Sequence, residues 1–370
     1  MSHMVPTITR PQVLSFRVRA QQLDRESGLA GDTALLNGGV QDTGPDGGLW
    51  ALVNRGVDTA TLGPDELATA WTIRGAPHLY RRADLPSVAA AVWPFSEADA
   101  GKRIFDASKP LKEAGIGNLE ALEAVATTMR SVVTEPMRKG EVSSRLAALM
   151  EEPYLRFCRP CDAIHLYEMP FRLAALPAGL ELQAGTSPPV LQRIAGFERV
   201  SEVPPRFDVI RTYLAMYGPA TPQQVAGYLD AAVKDVKARW PDDVTEVTVE
   251  GETRWLLSSD VDALDAGPVG AVRLLGPYDA YLQAKDRSLL VDDPARAKAL
   301  WPVLGRPGAV LVDGEIAGMW RPRKSGTKLE LSIELWESLP AHVREAIAVE
   351  AERLAAFRQV RLAGVHGVDG

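Results

Sequence analysis

The sequence predicts an α+β protein built from three tandem winged helix-turn-helix units followed by a small C-terminal β-barrel. Three observations predict it. A complete helix, turn, helix, hairpin pattern runs from Asp208 to Leu257, the same grammar is echoed earlier in the chain, and strand-like alternation takes over from Val272. Within 370 residues the expected units are 5–100, 101–200 and 201–265, with the barrel and a closing helix at 266–370. No exact repeat supports the count, which rests on pattern.

The stretch from Asp208 is the clearest. Val209, Tyr213, Leu214 and Tyr217 recur at helical spacing until Gly218-Pro219 stops the helix. Thr221 stands as an N-cap with Pro222 at the first helical position, and Val225, Tyr228 and Leu229 give the second helix its apolar stripe. Asp230 is expected to cap a third helix, Ala231–Trp240, along which lie Lys234, Lys237 and Arg239. Val244, Val247 and Val249 then alternate, turn at Glu250-Gly251 and return through Trp255-Leu256-Leu257, as the wing of a DNA-binding module would. The same fold also serves as a structural or protein-binding brick.

Taken in order, Arg10–Leu23 reads as an opening amphipathic helix broken by the glycines of 28–31. Thr33–Val40 is a short apolar segment, and Leu49–Val53 carries the apolar positions of a helix. Asp65–Ala70 reads as a helix after Gly63-Pro64, Trp71–Tyr80 as a strand or hairpin, and Leu85–Trp93 as a short helix. Asn118–Thr134 and Ser144–Met150 give a helix pair, followed by a hairpin or helix-strand pair over Ile164–Leu182. Beyond Val272 three alternating runs, with Asp313-Gly314 as a hairpin turn, predict a small β-barrel or curled sheet, and Ala341–Leu362 the closing helix.

Composition narrows the function classes. With 46% hydrophobic residues the chain can bury real cores, and no apolar run reaches membrane-span length. Met1-Ser-His-Met reads as a vector remnant, no signal peptide pattern follows, and a cytoplasmic location is expected, with no membrane partner. A net charge of -7 means that any nucleic acid must be held by a local basic groove. The glycine-rich GGVQDTGPDGG lacks the Lys-Ser/Thr ending of a phosphate-cradling loop, and no Gly-x-Ser-x-Gly or metalloprotease helix occurs.

Six stretches carry a resemblance: GVQDTGPDGGLWALVNR (Gly39–Arg55), WTIRGAPHLY (Trp71–Tyr80), CRPCDAIHLYEMPFR (Cys158–Arg172), YGPATPQQVAGYL (Tyr217–Leu229), VRLLGPYDAYLQAKDR (Val272–Arg287) and VLVDGEIAGMWR (Val310–Arg321). In their order and spacing the chain resembles the AlkZ/YcaQ-type winged-helix DNA glycosylases, which act on antibiotic adducts and interstrand crosslinks. The resemblance implies a C-shaped, DNA-binding concavity. It implies a monofunctional enzyme that hydrolyses the N-glycosidic bond of alkylated purines in damaged double-stranded DNA, without cofactor and as a monomer.

The family's catalytic signature, Gln, an apolar residue, then Gln or Asp, falls on Gln41, Asp42 and Thr43, so the sequence departs from it twice. In an extended segment Gln41 and Thr43 share a face while Asp42 points away, unless a tight turn rotates Asp42 inward. An amide can hold the attacking water. A carboxylate can also take its proton, whereas Thr43 offers only a hydrogen bond. Against these roles, Thr43-Gly44-Pro45-Asp46 also fits a capping box, and Gln41 fits an amide that satisfies turn backbone. The loss of the second polar group leaves open an inactive lesion binder or transcriptional regulator of the same fold. The acidic net charge alone would suit a protein-binding scaffold.

Further DNA-binding candidates are Arg74, His78, Arg81, His165, Lys234 and Lys237, together with Arg321, Arg323, Lys324 and Lys328 of the densest basic loop. His78 and His165 fit satisfied core histidines equally well, and the basic loop fits a solvated one. Cys158, Cys161 and His165 have zinc-compatible spacing but no fourth ligand nearby unless Glu168 or Asp162 serves, so no metal is expected and a reduced, buried thiol pair flanking a hairpin is.

Overall fold

Strand Val40–Gln41, short as it is, sits at one edge of a six-stranded sheet that joins the first half of the chain. The order continues through Pro77–Arg81, Leu67–Trp71, Leu180–Leu182, Val190–Arg193 and Met137–Arg138. The structure, a computed structural model, describes residues 5–44 and 46–368; Met1–Met4, Pro45 of the expected capping box and the side chain of Lys324 lie outside the described residues.

Leu67–Trp71 is a strand where a helix was expected. Four of its five side chains are buried, and it pairs with Pro77–Arg81 on one side and Leu182 on the other. A segment as short as Asp65–Ala70 has no decisive period, and two flanking strands settle it. The expected boundary at 100/101 falls inside helix Glu97–Arg103, and the shared sheet carries strands from both sides of it.

Helices Asn118–Val132 and Lys139–Ala147 precede a separate two-stranded sheet, Leu155–Cys158 with Ala163–Leu166. Their core gathers Leu122, Val125 and Met129 against Phe171 and Trp71. The next segment forms helices Val209–Tyr217, Pro222–Leu229 and Val233–Ala238 and the hairpin Val244–Val249 with Glu252–Leu257. Thr221 and Gln224 make a reciprocal capping box, at 3.2 and 2.8 Å. Asp230 does not cap the third helix. It is the left-handed C-cap of the second (φ 57°), and Asp99 accepts the Ala232 N–H at 2.9 Å instead. The third helix is accordingly shorter than Ala231–Trp240.

The hairpin turns at Glu250-Gly251, both at positive φ, and gains Thr7–Ile8 as a parallel third strand. The C-terminal region is an open, curled sheet rather than a closed barrel. Its order is Val272–Leu275, Gly308–Val312, Glu315–Ser325, Lys328–Leu335, Arg361–His366, and its two end strands do not pair. Helix Ala341–Phe357 packs on that sheet, burying Ile347, Ala351 and Leu354 against Trp50 and Trp320. With this core filled by helix and indoles, closure is not needed to bury the apolar face.

Candidate active site

The glycine-rich segment before helix Gly47–Val53 is held at both ends. Gln41 lies opposite His78, and the Asp42 N–H continues the pairing to Pro77 O at 2.8 Å. Gly39 is required at φ 82°, since a Cβ there would meet Tyr80 Cζ at 2.3 Å. Beyond the strand the Asp42 carboxylate turns back on the helix. Its Oδ1 accepts the Gly48 N–H at 2.8 Å and its Oδ2 the Thr69 hydroxyl at 3.3 Å. Gly47 makes room for this, because a Cβ there would stand 2.0 Å from Asp42 Oδ1.

The helix cap therefore belongs to Asp42, and the Thr43–Asp46 capping box does not form. Asp46 occupies the N-cap position without capping, because its carboxylate is gripped by Arg358, with Nε at 2.6 Å. A carboxylate on a helix N-terminus makes a stronger bond than a hydroxyl would. Thr43, released from the helix, accepts the Gln41 Nε2–H at 3.2 Å. That bond occupies the amide nitrogen side and leaves Gln41 Oε1 as an acceptor.

Thr43, Asp46, Gly47 and Ala51 face Gly276, Pro277, Tyr278 and Asp279 across a small pocket of about 10 Å³. Two indoles fix the opposing wall: Trp50 Nε1 donates to Leu274 O at 2.7 Å and Trp320 Nε1 to Leu275 O at 2.9 Å. Asp279 is fully buried and paired with Arg55 at 3.0 Å, while Asp46 is paired with Arg358. Both carboxylates that border the pocket are thus engaged by arginines, and neither is a free base.

A group of cations gathers around Lys285, and one of them, Arg306, stands against the pocket residue Tyr278. Arg306 stacks over Tyr278 at 5.1 Å, Arg287 over Trp301 at 4.9 Å, and Arg74, held in a left-handed turn (φ 57°), over Tyr228 at 5.0 Å. Lys285 lies among them. Burial, and then the charges of Arg74 and Arg287, push its ammonium down to about 8. Among the described residues none of the four forms an ion pair within 4.0 Å, so their charge is available to an anion. Lys285, Arg287, Arg306 and Tyr278 escaped the sequence reading. The signal present was the KDR ending of Val272–Arg287, but spacing along the chain does not reveal that Arg74 and Arg306 join it.

The other candidates are scattered. His78 is 1% exposed, with Nδ1 bonded to Ala76 O at 2.9 Å and Thr72 Oγ1 at 3.0 Å. Burial, and next the Arg74 charge, push it down to about 3, so it is a neutral brace behind Gln41 rather than a DNA contact. Arg81 is likewise a structural clamp, since its guanidinium is spent on Ala30 O, Thr33 O, Asn37 and Asp84. Lys234 and Lys237 are exposed on their helix, while Arg239 is turned to Phe95 O. Arg321, Arg323 and Lys328 are exposed on the Glu315–Ser325/Lys328–Leu335 hairpin, where Arg321 donates to Gly305 O at 2.7 Å. His165 lies apart from the pocket residues, with Nδ1 3.2 Å from Ser143 Oγ.

Comparison with known proteins places this geometry. A family model described as "DNA glycosylase AlkZ-like" matches residues 38–357. The fold is similar to that of the Streptomyces sahachiroi DNA glycosylase AlkZ, with a TM-score of 0.71 and 21% identity over 97% of this chain and 100% of that one. No curated protein matches.

Proposed function

The chain belongs to the AlkZ-like DNA glycosylase family, and from that membership we propose that it hydrolyses the N-glycosidic bond of alkylated purines in duplex DNA, bulky N7 adducts and crosslinks included. The observation that carries the reading is the Gln41–Thr43 hydrogen bond, which leaves the Gln41 amide oxygen as a free acceptor. A water donating one proton to Oε1 is held with a lone pair directed at the sugar. Its oxygen bonds to C1′ as the C1′–N bond breaks through an oxocarbenium-like state, and the bonding pair neutralises the cationic base. The base needs no proton in order to leave, and the water's proton passes to solvent. Thr43 orients the amide and is not itself a base.

Arg74, Lys285, Arg287 and Arg306 would hold phosphates beside the pocket, with Lys234, Lys237 and the Arg321–Lys328 hairpin extending the grip. In this reading helices Val209–Tyr217, Pro222–Leu229 and Val233–Ala238 with their hairpin form one winged helix. The segments 5–100 and 101–200 supply two more, and the three with the curled sheet make a C-shaped face for DNA. The protein would act as a monomer in the cytoplasm.

One observation favours a second reading, a lesion binder with little turnover: the only unpaired carboxylate of the motif, Asp42, is committed to the helix N-terminus. Single-turnover release of 7-methylguanine and of a bulky N7 adduct from duplex DNA separates the two. We expect release by the wild type and a loss of about 100-fold in Gln41→Ala, in line with the cost of misplacing a reacting water. Tight binding without release of either base would leave the binder.

A further inference from the structure

We propose that Cys158, Cys161 and His165 bind a zinc ion at the tip of the Leu155–Cys158/Ala163–Leu166 hairpin, a site separate from the glycosylase pocket. One ligating atom of each residue lies within 4.8 Å of the other two. Both cysteines are free, but the pair is not buried as expected: Cys158 is half-buried and Cys161 is exposed.

Strand geometry explains why these residues meet. Cys158 pairs with Ala163 and Arg156 with His165, so Cys158 and His165 project from the same face on alternate rungs, with the Phe157–Ile164 rung between them facing the other way. The Arg159-Pro160 turn folds Cys161 back, with its N–H on Cys158 O at 3.2 Å, and Asp162 takes a left-handed φ of 48° to re-enter the strand. A second observation points to a ligand. The Nδ1 of His165 faces Ser143 Oγ at 3.2 Å, while its Nε2 is buried and has no hydrogen-bond partner among the described residues. A metal-bound imidazole shows that arrangement: one nitrogen held by an outer partner, the other an unshared acceptor. Two thiolates and an imidazole are the donors that zinc prefers, and the exposure of Cys161 leaves the fourth position to solvent.

The hairpin has reason to need a clamp. It forms a two-stranded sheet of its own, and its outer face carries Phe157 and Ile164 as a cross-strand pair, 60% and 57% exposed. Such a ribbon is marginally stable in water. A metal across its tip fixes the strands and so presents the Phe157–Ile164 pair in one orientation.

The test uses the full-length, reduced protein, stripped with chelator. Zinc is titrated against a chromophoric competitor, and cobalt is then used as a spectroscopic probe. We expect one equivalent per chain, a thiolate-to-cobalt charge-transfer band, and slower amide exchange over 155–166 with zinc. Cys158→Ser, Cys161→Ser and His165→Gln should each weaken binding by more than about 100-fold, and Ser143→Ala by about tenfold, as loss of an outer partner does. Circular dichroism checks that the variants keep the fold. Three outcomes overturn the proposal: a folded, reduced protein that takes up no zinc; binding that survives the Cys158→Ser/Cys161→Ser double variant; or thiols that ignore zinc and only close a disulfide in air.

Discussion

Asp42 Oδ1 accepts the backbone N–H of Gly48 at 2.8 Å, and this one bond sorts the three polar side chains of the motif. It commits the carboxylate to the helix and frees Thr43 to hold Gln41. Asp42→Ala removes a helix cap, and we expect it to cost about 1–2 kcal/mol of stability, typical of a lost cap. Gly47→Ala should cost at least as much, because its φ of 51° and the 2.0 Å approach to Asp42 leave no room for a methyl. Urea unfolding measures both, and base release should fall further than stability accounts for.

Thr43→Asp places a proton acceptor beside Gln41. If water activation limits the reaction, single-turnover release of 7-methylguanine should rise, by up to about 100-fold at neutral pH. An unchanged rate would mean that another step limits it.

The cluster around Lys285 predicts how DNA binding responds to salt and pH. Arg287→Gln and Arg306→Gln should each reduce the slope of log Kobs against log salt by about 0.9 in magnitude, measured by fluorescence anisotropy. Lys285 is charged below about 8 and loses its proton above that value, so affinity should weaken as pH rises from 7 to 9. Lys285→Arg should flatten that dependence. For folding the sign is opposite: the folded value lies below the ordinary 10.5, so the penalty for holding the charge is present at low pH and is relieved as pH rises from about 8 toward 10.5.

His78 titrates near 3 in the folded protein against 6.5 when exposed. Unfolding therefore takes up a proton between these values, and the stability from the neutral, buried ring is complete above about 6.5 and is lost as pH falls toward 3. Denaturant midpoints at pH 4, 5 and 7 should show a shallower acid loss in His78→Gln.

Asp279→Ala strands the fully buried guanidinium of Arg55. Breaking such a pair costs about 3–5 kcal/mol, and because Asp279 borders the pocket, release should fall together with stability.

What could be read from the sequence was what is decided locally. The Thr221 cap and the Glu250-Gly251 and Asp313-Gly314 turns follow from neighbours within a few residues. The misreadings came where a distant partner decides. Leu67–Trp71 is a strand because Leu182 lies beside it, and Asp46 leaves the Thr43 cap because Arg358 claims it. Arg74, Lys285, Arg287 and Arg306 become one patch only after the chain folds, and no composition run marks them. The first four strands of the C-terminal sheet fall on the three alternating runs, but the fifth, Arg361–His366, was missed, its first two residues having been read into the closing helix, which ends at Phe357.

The first helix, Arg10–Ala20, has its anchors at the far end of the chain. Arg10 bonds Glu315 at 2.6 Å, Arg17 bonds Asp286 at 2.7 Å, and strand Thr7–Ile8 lies along Val244–Val249. A ribosome extends the chain by more than two hundred residues before any of these partners exists. Until then Arg17 remains a hydrated side chain on an undocked segment, and the chain's beginning is among the last parts to reach its place. Synthesis that stops short of Val244 therefore leaves all three of these anchors unmade as well as removing the tail.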